Sequence, residues 1–257
     1  MKELVYNPNP EPITAPLFER HSFDEVELSQ KYELICNGKE QLVYNTDSFH
    51  YAPVAVEDGS KGVDVVVNVR TPFEKVIIRP SSYQIDFTVE GTQIKFHLPG
   101  ILKVSVELDG DLKSPLFVLC SPKIEKPDNT TIYFQKGQIY NVATLELKDG
   151  DVVYFEEGSV VYGRVFADQC KNIKLIGNGI LNGSPWHLPD SNGRAFLVDI
   201  RWCTDLTIEG ITVVDSAMWQ IVPAACTDVL IRNVNSLSRL VTGDGIDITG
   251  CQNVLIE

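Results

Sequence analysis

Positive charge is scarce in this chain: 22 Lys and Arg stand against 35 Asp and Glu, a net charge of −13 over 257 residues. Neutralising phosphates needs clustered cations, so the deficit argues against a nucleic-acid partner. It also restricts polyanionic ligands, which would need a local basic patch inside an acidic field. Long apolar runs are missing as well. No stretch reaches the roughly 18 consecutive apolar residues of a transmembrane helix, and Met1-Lys-Glu-Leu-Val-Tyr-Asn-Pro8 has no apolar run of signal-peptide length. The chain as given is therefore expected to be soluble and cytoplasmic without a membrane partner, although a longer, secreted precursor stays open. His21, His50, His97 and His187 have no Cys or His at zinc spacing, so neither a metal site nor a cofactor is expected.

What is present is repetition. Cys170-Lys-Asn172-Ile173-Lys-Leu175, Cys203-Thr-Asp205-Leu206-Thr-Ile208, Cys226-Thr-Asp228-Val229-Leu-Ile231 and Cys251-Gln-Asn253-Val254-Leu-Ile256 share one phrase, at spacings of 33, 23 and 25 residues. Periods of this size mark supersecondary units stacked one on the next. Equivalent aliphatic positions then form inward ladders, Ile173 with Leu206, Val229 and Val254, and Leu175 with Ile208, Ile231 and Ile256. Asn172, Asp205, Asp228 and Asn253 read as turn residues that hydrogen-bond locally. The four cysteines are expected to stack as buried, reduced thiols, since free Cys behaves as a small hydrophobe.

Upstream, Leu145–Leu147, Val152–Phe155 and Val160–Tyr162 are short runs separated by Asp149-Gly150-Asp151 and Glu157-Gly158-Ser159, with no amphipathic helix between them. Coils this short fit a parallel β-helix. The earlier half differs. Runs at 63–69, 76–78, 85–89, 94–98, 102–108 and 116–119 are punctuated by Gly91, Pro99-Gly100 and Asp109-Gly110, the pattern of hairpins in an antiparallel sandwich. Pro8, Pro10, Pro12 and Pro16 make the first residues an extended lead-in. The polar segment 121–130 is the expected boundary. The fold class is thus all-β: an N-terminal antiparallel β-sandwich with its lead-in over residues 1–122, then a right-handed single-stranded parallel β-helix over 123–257. Because the chain stops at Glu257 without a polar cap, the β-helix is expected to be truncated at its C-terminal end.

Thr242-Gly243-Asp244-Gly245-Ile246-Asp247 is the segment able to carry chemistry. Flanking glycines let the backbone turn and leave the carboxylate of Asp244 approachable, although the same residues would also serve as a plain loop turn. Asp244 and Asp247, an odd number apart, need not share a face if the segment is extended. Trp186 and Trp219 are candidate platforms for sugar rings against a packing role, whereas Trp202 reads as packing. Arg239 could grip a substrate carboxylate bidentately or pair with a nearby Asp.

Three ordered segments resemble polygalacturonases, glycoside hydrolase family 28: Gly177-Asn-Gly-Ile-Leu-Asn-Gly-Ser-Pro-Trp186, Leu206 through Asp215-Ser216-Ala217-Met218-Trp219, and Thr242-Gly-Asp-Gly-Ile-Asp247 against that family's Asn-Thr-Asp-Gly-Ile-Asp. Thr242-Gly243 and Ser216-Ala217 depart from the family's Asn-Thr and Ser-Pro, marking a divergent branch of the pectin-lyase-like β-helix proteins. A sandwich ahead of the β-helix is similar to dextranases and isopullulanase, family 49. The resemblance implies a glycosidase that inverts configuration on a polysaccharide or oligosaccharide. It carries Asp244 over as a carboxylate that activates water, and it makes Trp219, Arg239, Asp247 and Trp186 candidate substrate contacts. The family's Asp-Asp pair, Gly-His-Gly and Arg-x-Lys would follow Glu257, so the acid is expected there and this chain alone is expected to be inactive. A dextranase-like glucan hydrolase, a polysaccharide lyase and a non-catalytic carbohydrate-binding solenoid are the alternatives.

Overall fold

A computed structural model describes residues 19–21, 26–184 and 196–257. The chain divides into two compact units, Asp24–Lys123 and Ile124–Glu257, the second joined by the strand Glu19–His21.

The first unit is a β-sandwich of two five-stranded sheets. One runs Lys39–Gln41, Tyr32–Cys36, Val63–Val69, Gln93–Leu98, Phe87–Glu90, and the other Tyr44–Asn45, His50–Val56, Leu116–Pro122, Lys103–Leu108, Val76–Arg79. Strict alternation makes this possible: Val63, Val65, Val67 and Val69 point inward and meet Val54, Val104, Val106 and Val118 from the other sheet. Two details differ from the sequence reading. His50–Val56 and Leu116–Pro122 pair in parallel, because the chain visits the other sheet between them. Pro99-Gly100 is not a hairpin turn, since Gln93–Leu98 and Lys103–Leu108 belong to opposite sheets. Gly91, in the Gly91-Thr92 turn, and Asp109-Gly110 do lie in hairpin connections, and Asp109 and Gly110 both take positive φ, 54° and 73°.

The second unit is a right-handed parallel β-helix with three faces. The first face stacks Ile132–Phe134, Val152–Phe155, Lys171–Gly177, Thr204–Glu209, Thr227–Arg232 and Gln252–Ile256, every neighbour parallel. The second carries Ile180–Asn182, Thr212–Val214 and Asn235–Leu237, and the third Val198–Arg201 and Ile221–Ala224. Val160–Asp168 bends across both, its first three residues pairing with Ile180–Asn182 and its last four with Val198–Arg201. Gly163 sits at that bend, where a Cβ would lie 2.3 Å from the Val142 carbonyl oxygen. Glu19–His21 pairs antiparallel with Ile139–Asn141 of this unit, which corrects its placement with the sandwich.

Both ladders form in the expected register, Ile173 to Leu206 to Val229 to Val254, and Leu175 to Ile208 to Ile231 to Ile256. Asn172, Asp205, Asp228 and Asn253 all occupy the left-handed region, with φ between 53° and 58°. Asn and Asp tolerate that conformation better than other side chains, which explains why the position never holds an aliphatic residue. The preceding corner is left-handed too, at Gln169, Trp202, Ala225 and Gly250. Each cysteine therefore sits between two left-handed positions, and the thiols point into the core. Cys170 N–H donates to Cys203 Sγ and Cys226 N–H to Cys251 Sγ, both at 3.3 Å, and all four are free thiols. Trp202 is a correction: it is 68% exposed and does not pack. No helix among the described residues is long and apolar enough to cross a membrane.

Candidate active site on the third face

The last coil builds the third face without a named strand. Ile246 bridges Ile221 in parallel and Thr249 bridges Ala224, so residues 244–249 add one more rung. Gln220 N–H donates to the Asp244 carbonyl at 2.8 Å, Ile221 N–H to the Gly245 carbonyl at 3.0 Å, and Asp247 N–H to the Ile221 carbonyl at 2.9 Å. This backbone ladder delivers Asp244 and Asp247 to the same wall. Serine side chains crowd both glycines beside Asp244, Gly243 the more tightly. A Cβ at Gly243 would stand 1.9 Å from Ser238 Oγ, and one at Gly245 would stand 3.0 Å from Ser236 Oγ.

Asp244 is exposed and Asp247 half-buried. One carboxylate oxygen of Asp247, Oδ2, is shielded from solvent and has no hydrogen-bond partner among the described residues. Burial, and then the charge of Asp244, push the Asp247 carboxyl above its ordinary range. The two acids thus share one electrostatic field, although they are an odd number of residues apart.

Trp219 is half-buried and its ring stacks on Phe196 from the rung below, centroids 5.2 Å apart and 6° from parallel. Packing and a partly open indole coexist there. Arg239 does not turn to Asp244 or Asp247. Its Nε and its backbone N–H donate to the buried carboxylate of Asp215 at 3.0 and 3.1 Å. Trp186 lies outside the described residues.

The structure adds residues that the sequence reading passed over. Asp199, 2% exposed, receives Arg164 at 2.8 Å and Arg201 through two bonds at 2.8 Å each, and both guanidinium groups lie 5.6 Å from the Phe166 ring centre. Register places Phe166, Asp199 and Val222 in one column of this face. Asp247, following Ile246, continues that column. Asp215 and its partner Arg239 are 24 residues apart, close to the spacing of 25 between Cys226 and Cys251, so the one-coil step was the available signal. Among the described residues no group of three or more His, Cys, Asp or Glu could hold a metal ion.

No protein-family model matches the chain, and no curated protein matches it. Solved structures do. Dex49A from Penicillium minioluteum is 15% identical with a TM-score of 0.62, over 98% of this chain and 73% of that one. A family 28 exopolygalacturonase from Yersinia enterocolitica is 12% identical, TM-score 0.44, over 79% and 63% respectively. A provisionally described glycosyl hydrolase from Parabacteroides merdae ATCC 43184 is 24% identical, TM-score 0.42, over 48% and 69%. The likeness to Dex49A extends over nearly the whole chain and is one of fold.

Proposed function

We propose that this chain belongs to a glycoside hydrolase that cleaves a polysaccharide with inversion, with Asp244 as a carboxylate that activates water. The observation that carries this reading is the pair Asp244 and Asp247: two acids on one rung, Asp244 set between two glycines and its charge helping to raise the Asp247 carboxyl. An inverting glycosidase needs a carboxylate that takes a proton from water as its oxygen attacks the anomeric carbon, and an acid that protonates the departing glycosidic oxygen. The two groups stand roughly 6.5–9.5 Å apart to admit the water. A solenoid wall supports such a layout, because successive strands rise by about 4.8 Å. The half-open Trp219 beside Phe196 supports a sugar ring lying against the wall.

The polygalacturonase-like substrate class rests on the sequence resemblance. A neutral glucan, as in the dextranase-like alternative, is favoured by a specific contact: the Nε of Arg239 is spent on Asp215 within a chain of net charge −13. The test is reducing-end release from polygalacturonate and from dextran by the whole protein, with Asp244→Asn beside wild type. The hydrolase reading expects activity on one polymer, inverted product by NMR, and loss of turnover in Asp244→Asn with unchanged melting. Unsaturated products would point to a lyase. Binding without turnover in the wild-type protein would point to a carbohydrate-binding solenoid.

A further inference from the structure

The approach to Asp244 is held by a connected set of polar contacts. Asp215, 1% exposed, accepts both the backbone N–H and the Nε of Arg239, which fixes where residues 238–243 leave the second face. Gln220, fully buried, ties the two ends of that segment together. Its Nε2 donates to the Leu237 carbonyl at 2.7 Å, its Oε1 accepts from the Ser236 hydroxyl at 3.1 Å, and its backbone N–H holds the Asp244 carbonyl at 2.8 Å. In the middle, Thr242 Oγ1 donates to the Ala217 carbonyl at 3.3 Å. One rung earlier the corresponding positions are Gly183 and Leu197. At Asp215 and Gln220 a buried carboxylate and a buried amide are tolerated because each is hydrogen-bonded, and a satisfied buried network is rigid.

We propose that Asp215 and Gln220 are positioning residues that hold the Asp244 carboxylate in place against Asp247, acting through residues 238–243 without touching substrate. This rests on the reading of Asp244 as the water-activating group, and it reassigns Arg239 from substrate contact to a member of the clamp.

The decisive experiment is a double-mutant cycle read by NMR titration of the Asp247 carboxyl in the intact protein. Asp244→Asn removes the like charge and lowers the Asp247 midpoint. Asp215→Asn, which keeps the side-chain shape, and Gln220→Leu, which installs the residue of the rung below, should each reproduce part of that fall. In the Asp244→Asn background neither should lower the midpoint further, because the placement of that charge is the route. Equal falls in both backgrounds would mean that loosening merely hydrates Asp247, and no fall in either would mean that the contacts do not set the position; both results overturn the proposal. Arg239→Gln, at the more open end of the pair, keeps the test decisive should a buried replacement not fold. In hydrolysis, the folded clamp variants should lose about 10- to 100-fold in kcat with KM little changed, as expected when a reacting group is misplaced by about 1 Å. Full hydrolysis by Asp244→Asn alongside an intact cycle would remove the catalytic role and leave the positioning demonstrated.

Discussion

Asn172, Asp205, Asp228 and Asn253 show what a single position in the repeat demands. All four are left-handed, and Asn253 Nδ2 donates to Asp228 Oδ1 at 3.0 Å, so the amide and the carboxylate also contact each other across a rung. Asp228→Asn should therefore leave melting and turnover unchanged, since the amide retains an accepting oxygen. Asp228→Val should destabilise by about 1–2 kcal/mol, the cost of a left-handed β-branched residue, read from urea midpoints. His50 offers a pH-dependent counterpart in the sandwich. It is buried edge-on against Tyr32, its Nδ1 has no hydrogen-bond partner among the described residues, and burial, then Lys31, lower its pKa from the ordinary 6.5. The unfolded chain then takes up a proton that the folded chain resists, so stability declines as pH falls below about 6.5 until the lowered folded value is reached. His50→Phe, which keeps a ring against Tyr32, should flatten that decline in urea midpoints measured between pH 7.5 and 5.

The element that decides the solenoid is the rung, and its energy lies in the ladders. Leu206 and Ile208 are enclosed by rungs on both sides, whereas Val254 is only partly covered and Ile256 is 50% exposed. Truncation inside a closed ladder leaves a cavity as well as lost burial. Leu206→Ala should accordingly cost about 2–5 kcal/mol, and Val254→Ala distinctly less, measured by denaturant melts of the two variants together. Both ladders and the Asn or Asp turn positions were legible in the sequence, because each coil repeats the same requirement at the same offset; the left-handed backbone there came from the structure. The third face was not. Its members follow a variable corner, so Phe166, Asp199, Val222 and Asp247 align only when the strands are stacked. Arg239 illustrates the same limit. Its proximity in sequence to Asp244 pointed to the acidic site, but the wall turns it back to Asp215, one coil earlier.

Across the whole molecule, all six cysteines are free, and only Cys251 is more than marginally open. Burial pushes the thiols of Cys36 and Cys120 up to about 12, and those of Cys170 and Cys251 upward as well. Thiolate is the reactive form, so these groups should be slow toward alkylating reagents in the native state. The Cys226 thiol is instead drawn down by its hydrogen bond with Cys203, so its protection rests on burial alone; native iodoacetamide labelling followed by mass analysis should modify Cys251 first and leave the five buried thiols intact, while labelling in denaturant should modify all six. Disulfides among Cys170, Cys203, Cys226 and Cys251 in non-reducing mass analysis would contradict the ladder chemistry.

The sequence by itself determined the repeat, its phase, the change from alternating sandwich strands to short stacked coils, and the glycine-flanked acids at 243–247. These are local demands, met by residue type at fixed spacing: aliphatic where the core is, Asn or Asp where the backbone turns left-handed, glycine where a neighbour leaves no room for a Cβ. Only the tertiary structure decided the parallel pairing inside the sandwich, the strand Glu19–His21 on the solenoid, the exposure of Trp202, and the placing of Asp244 and Asp247 on the third face. Those depend on which strand lies beside which. That neighbourhood is set by the packing of whole sheets and coils, and no stretch of a few residues contains it.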